Sequence, residues 1–325
     1  MGASKKLILL LLLFSICFET KAQDQKKVQK IARSFTVSKD GAADFQTIQS
    51  AINAVRDFSD SVVTIHIKKG IYKEKLIVPS WKTKVFLVGE DSSNTVISNG
   101  DYSGKEGFNT YNSYTLLVQG NDFRAERLTI ENSAGSVGQA VALHTEGDRM
   151  VVKNCRILGN QDTLFPAVDT SRQYYLDCYI EGTTDFIFGA ATVVFERCHI
   201  HSKKNSYITA ASTTAAQRYG FVFIDCKLTA AAGIEKVYLG RPWRPYANTV
   251  FINTEMGPHI LPAGWRAWNE NDNHKCSYYA EYGSKGPGGL INGRIEWSKQ
   301  LSKKELKAYT LVKIFSGNSL WKPKQ

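Results

Sequence analysis

Six stretches of the chain share one alternating pattern of apolar and polar positions. FRAERLTI, MVVKNCRI, YYLDCYI, VVFERCHI, FVFIDCKL and TVFINTEM are rich in β-branched and aromatic residues and end on Ile130, Ile157, Ile180, Ile200, Leu228 and Met256. Those ends stand 27, 23, 20, 28 and 28 residues apart, and in four of the six a cysteine lies two places before the last apolar residue, where Leu128 and Thr254 stand in the others. A strand repeats every two residues, so the cysteine and the terminal apolar residue share a face that should point inward. Arg156, Tyr179, His199 and Lys227 fall on the other. Units of this length, separated by Gly- and Asn-bearing turns, predict an all-β solenoid whose coils stack around one shared core. Asp44 to Val55 carries apolar residues at Phe45, Ile48, Ile52 and Val55, a helical spacing suited to capping the open N-terminal end. A second, Lys-rich helical pattern over Ser302 to Phe315 offers a cap after the repeats.

The first residues follow a different pattern. Lys5 and Lys6 precede an apolar run from Leu7 to Phe18, and Thr20-Lys21-Ala22 places small residues where a signal peptidase cleaves. The expectation is a signal peptide over residues 1–22, then a single domain over residues 23–325, secreted or periplasmic. The apolar run falls short of the ~20 residues of a membrane span, so no membrane attachment is expected after cleavage. Formal net charge is +11, of which the leader's three lysines and one glutamate account for a net two. A basic surface suits a polyanion, and export makes an acidic glycan a better partner than nucleic acid. Cys155, Cys178, Cys198, Cys226 and Cys276 show no CxxC pair or zinc-type clustering. Cys178 and Cys198 can bridge adjacent coils in an oxidising compartment or remain packed thiols, and both readings stay open.

Laying the repeats over one another also aligns chemistry. Asp162 lies five residues after Ile157 and Asp185 five residues after Ile180, so two carboxyls occupy equivalent places in consecutive coils. Neighbouring carboxyls resist double ionisation, which separates a proton donor from an anionic nucleophile. The plain alternative is a pair of Asx-turn residues at strand ends. Gln161, beside Asp162, and Gln139, one coil earlier, can present amide donors to a developing oxyanion. Arg241 can hold one aspartate ionised, and Trp243 offers a flat face for a sugar. Alone, these two read as a surface ion pair and a core aromatic.

GIYKE (Gly70 to Glu74), QAVAL (Gln139 to Leu143), QDTL (Gln161 to Leu164), IEGTTDFIFG (Ile180 to Gly189) and LGRPW (Leu239 to Trp243), taken together and in this order, closely resemble the pectin methylesterase family. The likeness runs from about Phe35 to Trp321, with VSKDGAADFQTIQSAINAV resembling the family's opening and GPGG followed by Trp297 its C-terminal part. The resemblance implies a right-handed parallel β-helix that hydrolyses methyl esters of homogalacturonan without metal or organic cofactor. It implies Asp185 as nucleophile, Asp162 as general acid and base, Gln139 and Gln161 as oxyanion donors, Arg241 as partner of Asp185 and Trp243 as a sugar contact. Phe165 and Phe188 become candidates for subsite aromatics, with core packing as the alternative. Compared with typical members, the stretch from Asp162 to Asp185 is slightly longer and that from Asp185 to Arg241 shorter, which bears on substrate length and methylation pattern. The long N-terminal inhibitor-like region of many plant members is not seen in this sequence, so a bacterial-style enzyme, active once exported, is expected, and closed-end caps with a single exposed cleft suggest a monomer. Other readings are a same-family esterase or thioesterase with a different substrate, a polygalacturonase or pectate lyase on the same fold, and a non-catalytic glycan-binding solenoid. A serine esterase is disfavoured because Ala134 to Gly138 misses the first glycine of G-x-S-x-G.

Overall fold

The computed structural model describes residues 33–269, 272–316 and 320–324, so the leader over residues 1–22 lies outside the described residues. From Arg33 onward the chain winds through three parallel sheets of eleven, eight and seven strands. One coil shows the plan: Arg172–Leu176 enters the first sheet, Tyr179–Gly182 the second and Ile187–Gly189 the third, and Thr192–Glu196 returns to the first one rung higher. This is a parallel β-helix.

Its register is the one the repeats predict. Ile130 pairs with Ile157, Ile157 with Ile180, Ile180 with Ile200, Ile200 with Leu228 and Leu228 with Met256. All six are buried, as are Cys155, Cys178, Cys198 and Cys226, each a free thiol. The residue before each of these cysteines, and before Leu128 and Thr254 in the equivalent places, turns the corner between the first two sheets. Arg127, Asn154, Asp177, Arg197, Asp225 and Asn253 all take left-handed backbone, with φ between 51° and 55°. Asn and Asp tolerate that region best, and Arg197 is steadied there by forking onto Asp177 one coil below, at 2.8 Å to each carboxylate oxygen. Inside the first sheet, Tyr175, Phe195, Phe223 and Phe251 stack ring on ring at 5.1, 4.5 and 4.3 Å. Each such ring contributes roughly 1.5–3 kcal/mol by leaving water, and neighbours add roughly 0.5–1.5 kcal/mol per contact.

The N-terminal helical pattern becomes the helix Ile48–Ala54, capped by Thr47 and seated on the core through Ile48, Ala51 and Ile52. Glu74, the last residue of GIYKE, accepts from the amides of Ile48 and Gln49, tying the first coil to that helix. The C-terminal pattern divides into Lys303–Leu306 and Leu311–Ile314 because Thr310 caps a new helix start. Leu301, Ile314 and Phe315 pack on Tyr174, Val194, Val222 and Val250, which form the outward row of the first sheet. That segment therefore clothes a flank instead of the open end. Trp265, Tyr279 and Trp297 gather at the C-terminal coils. Among the described residues no helix is long and apolar enough to cross a membrane.

Candidate active site

The corner between the second and third sheets is also turned by left-handed residues, and in two consecutive coils these are Asp162 (φ 64°) and Asp185 (φ 49°). The amide of Asp162 donates to Thr184 O at 3.1 Å, and that of Asp185 to Tyr207 O at 2.9 Å. Adjacent rungs lie ~4.8 Å apart, so the two carboxyls are neighbours across one rung. Asx-turn residues would bond their own following backbone. Neither does: the Asp162 carboxyl has no hydrogen-bond partner among the described residues, and both oxygens of Asp185 go to Arg241. Gln161, next to Asp162 in the same coil, pairs with Gln139 in the coil on the side away from Asp185, and their side-chain amides have no partner among the described residues.

Arg241 follows the strand Tyr238–Gly240. It grips Asp185 bidentately, Nε to Oδ1 at 3.1 Å and Nη2 to Oδ2 at 2.6 Å. Its guanidinium lies between two rings, 4.1 Å from the centroid of Tyr207 and 4.0 Å from that of Trp268. Gly240 explains the glycine of LGRPW, since a Cβ there would meet Thr209 Oγ1 at 1.9 Å.

A cleft of about 390 Å³ opens above these groups, lined by Gln139, Gln161, Asp162, Asp185, Arg241, Phe188 and Trp243. Phe165 lies one rung behind, its ring stacked on Phe188 at 4.3 Å and tilted against His144 at 4.5 Å, and it does not line the cleft. The structure thus brings together every residue expected from sequence except Phe165, which supports Phe188 from below. Thr110, Tyr111, Tyr207 and Trp268 complete the surroundings and carry no motif signal. A larger hollow of about 710 Å³ lies beneath the C-terminal segment. Its single carboxylate, Glu305, is engaged in capping its own short helix through Ser302.

Burial raises both aspartates above the ordinary carboxylate range. At Asp162 the negative charge of Asp185 adds to burial and pushes the carboxyl up to about 8. At Asp185 burial also wins, but the Arg241 fork and its charge pull the carboxyl back. With Asp185 only 6% exposed, desolvation outweighs the ion pair in the net direction of the shift, while the Arg241 fork still favours the charged form. The order of ionisation survives. Asp185 gives up its proton first, and its charge then retains the proton on Asp162.

A family model described as Pectinesterase matches residues 34–318. The chain is 39% identical over 285 residues to Pectinesterase 5 of Arabidopsis thaliana, covering 83% of this chain and 48% of that protein. It spans about half the length of several such curated relatives. Among solved structures it is similar to the pectin methylesterase from carrot, with a TM-score of 0.83 at 33% identity, covering 86% of this chain and 92% of that one. A pectin methylesterase in complex with a hexasaccharide matches with a TM-score of 0.75 at 28% identity, over 89% and 98% of the two chains.

Proposed function

The chain belongs to the pectinesterase family, and from that premise we propose that it hydrolyses the methyl esters of galacturonate units in homogalacturonan, releasing methanol and leaving acidic pectate. One observation carries the reading. A buried Asp162, its carboxyl without a hydrogen-bond partner among the described residues and raised to about 8 by burial and the charge of Asp185, stands beside an Asp185 that is forked by Arg241, at the floor of a cleft with two uncommitted side-chain amides.

The chemistry follows from that order of protonation. The Asp185 carboxylate attacks the ester carbonyl carbon, and the oxygen that gains charge is met by Gln139 and Gln161. Each such donor contributes roughly 2.7–4 kcal/mol to a transition state. Collapse breaks the bond to the methoxy oxygen, which takes the proton of Asp162 and leaves as methanol, with the sugar carboxyl now joined to Asp185 as an anhydride. Asp162, newly anionic, removes a proton from water as the water attacks the sugar carbonyl carbon. Asp185 departs as a carboxylate on Arg241, and Asp162 has regained its proton. No step draws on a metal or organic cofactor.

The hexasaccharide held by a relative supports a polysaccharide lying along the cleft, with Trp243 against a sugar face. Export through the leader, to the periplasm or the outside, and action as a monomer complete the proposal. The test is methanol release from highly methylated homogalacturonan, with reducing ends and unsaturated products followed in parallel. Methanol alone is expected, and Asp162→Ala and Asp185→Asn should abolish it while circular dichroism stays that of the fold. New reducing ends would assign a glycosidase, unsaturated products a lyase, and binding without turnover a glycan-binding solenoid.

A further inference from the structure

Beyond the catalytic groups, the cleft has a charged rim. Arg244 follows Trp243, is exposed to solvent, and lays its guanidinium over the Trp243 ring at 4.9 Å from the centroid. No carboxylate pairs with it among the described residues. Arg241, deeper in the cleft, is committed to Asp185 at 2.6 Å, and the exposed Arg266 lies over Tyr238, away from the Trp243 ring.

The segment that presents Arg244 is held in shape before any ligand arrives. Pro242 and Pro245 flank Trp243-Arg244 and restrict the backbone on both sides. The amide of Trp243 donates to Ala211 O at 3.0 Å, and Asn273 Nδ2 donates to the carbonyls of Pro242 and Trp243 at 3.2 and 3.1 Å. The amide of Ala247 closes the turn on Arg244 O at 3.3 Å. Tyr246 is left with φ 65°, a region that bulky residues seldom enter. A strained turn fixed this tightly holds a cation that forms no ion pair at the edge of a cleft whose floor converts esters into carboxylates.

We propose that Arg244 reads charge on the substrate: it pairs with the free carboxylate of a galacturonate unit next to the one whose ester is cleaved. The inference rests on the esterase reading and deepens it. A guanidinium offers two parallel N–H donors that match the two oxygens of a carboxylate, whereas a methyl ester has one strong acceptor and no charge. Chain that is already de-esterified beside the target would therefore bind more tightly than fully esterified chain, and each turnover would create the feature that favours the next.

Two homogalacturonans test this, one almost fully methylated and one with about half its esters removed by alkali, with wild type, Arg244→Gln and Arg244→Lys. On the half-esterified polymer Arg244→Gln should raise KM several-fold with kcat unchanged, Arg244→Lys should recover part of the loss, and the difference should shrink in high salt. On the fully methylated polymer all three should agree within about two-fold, since exposed charges contribute little without a partner. An equal change on both polymers, or none on either, overturns the proposal. Binding of a fully de-esterified galacturonate hexamer, followed by tryptophan fluorescence, supplies a readout independent of turnover. Weaker binding by Arg244→Gln is expected and equal binding would refute the assignment, whereas absent methanol release by wild type would count against the esterase reading alone.

Discussion

Among the described residues, two guanidinium–carboxylate forks have a buried carboxylate, and they differ in what surrounds them. Glu281, wholly buried, meets Arg294 with Nε to Oε1 at 2.7 Å and Nη2 to Oε2 at 3.2 Å. Arg294 also donates to the carbonyls of Leu261, Pro262 and Gly288, and Glu281 accepts from Ser284 Oγ. Asp185 and Arg241 make a fork of similar length, but rings instead of carbonyls steady the guanidinium, and beyond the pair stands Asp162, whose carboxyl has no hydrogen-bond partner among the described residues. The first arrangement uses every donor and acceptor to bind distant loops of the last coils. The second leaves a carboxyl without a hydrogen bond and two uncommitted side-chain amides facing a cleft. The same two side-chain types hold a fold where their bonding is complete and can do chemistry where it is not.

Neutralising one carboxylate in each fork separates those roles. Asp185→Asn removes the proposed nucleophile and should lower kcat by about 10⁴-fold or more, in line with the loss of other catalytic nucleophiles, with the melting curve little changed. Next in size is a stability effect at the open site. Asp162 in the unfolded chain ionises near pH 3.9 and in the folded chain at about 8. Below pH ~4 it is protonated in both states and costs nothing; between the two values the unfolded chain alone gives up the proton, so stability falls as pH rises, and above ~8 the loss is complete. Asp162→Asn has no such proton. It should be inactive yet more stable than wild type by up to about 5 kcal/mol at pH 9, with no gain at pH 4. A gap in melting temperature that stays constant across this range would contradict the assigned ionisation.

At the closed fork the sign reverses. Glu281→Gln leaves Arg294 charged and buried without its counter-charge, which should cost about 3–5 kcal/mol. The activity per folded molecule should remain that of wild type. Denaturant titration at constant m-value measures the first and methanol release by the surviving fold the second. A large drop in kcat at unchanged stability would mean that the two forks are not the separate devices described.

How far the sequence anticipated this contrast depends on the range of the signal. The Ile and Leu ladder was legible because one buried face and a period of two leave each strand a single acceptable register. The same register carried Asp162 and Asp185 to adjacent rungs, five residues past Ile157 and Ile180. One coil further it fails: five residues past Ile200 is Asn205, whereas the residue whose carbonyl receives the Asp185 amide is Tyr207. The extra residues fall in the turn about Lys203 and Lys204, whose length no periodicity constrains. Trp268 reaches Arg241 from a loop 27 positions away and belongs to no repeat. The flank-covering course of Leu301 to Phe315 depends on the outward row of Tyr174, Val194, Val222 and Val250, which the paired strands create together and none reveals alone. The upward shift at Asp185 is likewise a property of the assembled cleft, since burial is the sum of many residues.

The smallest effect addresses what holds each guanidinium in place. Arg294 is held by carbonyls, which are directional, whereas Arg241 is sandwiched by Tyr207 and Trp268, whose attraction is worth roughly 0.5–2 kcal/mol. Trp268→Leu keeps an apolar wall but removes one ring face, so Arg241 should sample more positions and spend less time forked on Asp185. Because that fork opposes the upward pull of burial, loosening it should raise the carboxyl further. The acid limb of the kcat/KM profile, which reports ionisation of Asp185, should then move to higher pH by less than about one unit, the equivalent of roughly 1.4 kcal/mol or less. The alkaline limb near Asp162's value of about 8 should move little. A uniform fall in kcat/KM with both limbs in place would show that Trp268 serves the sugar and leaves the charge on Asp185 to Arg241 alone.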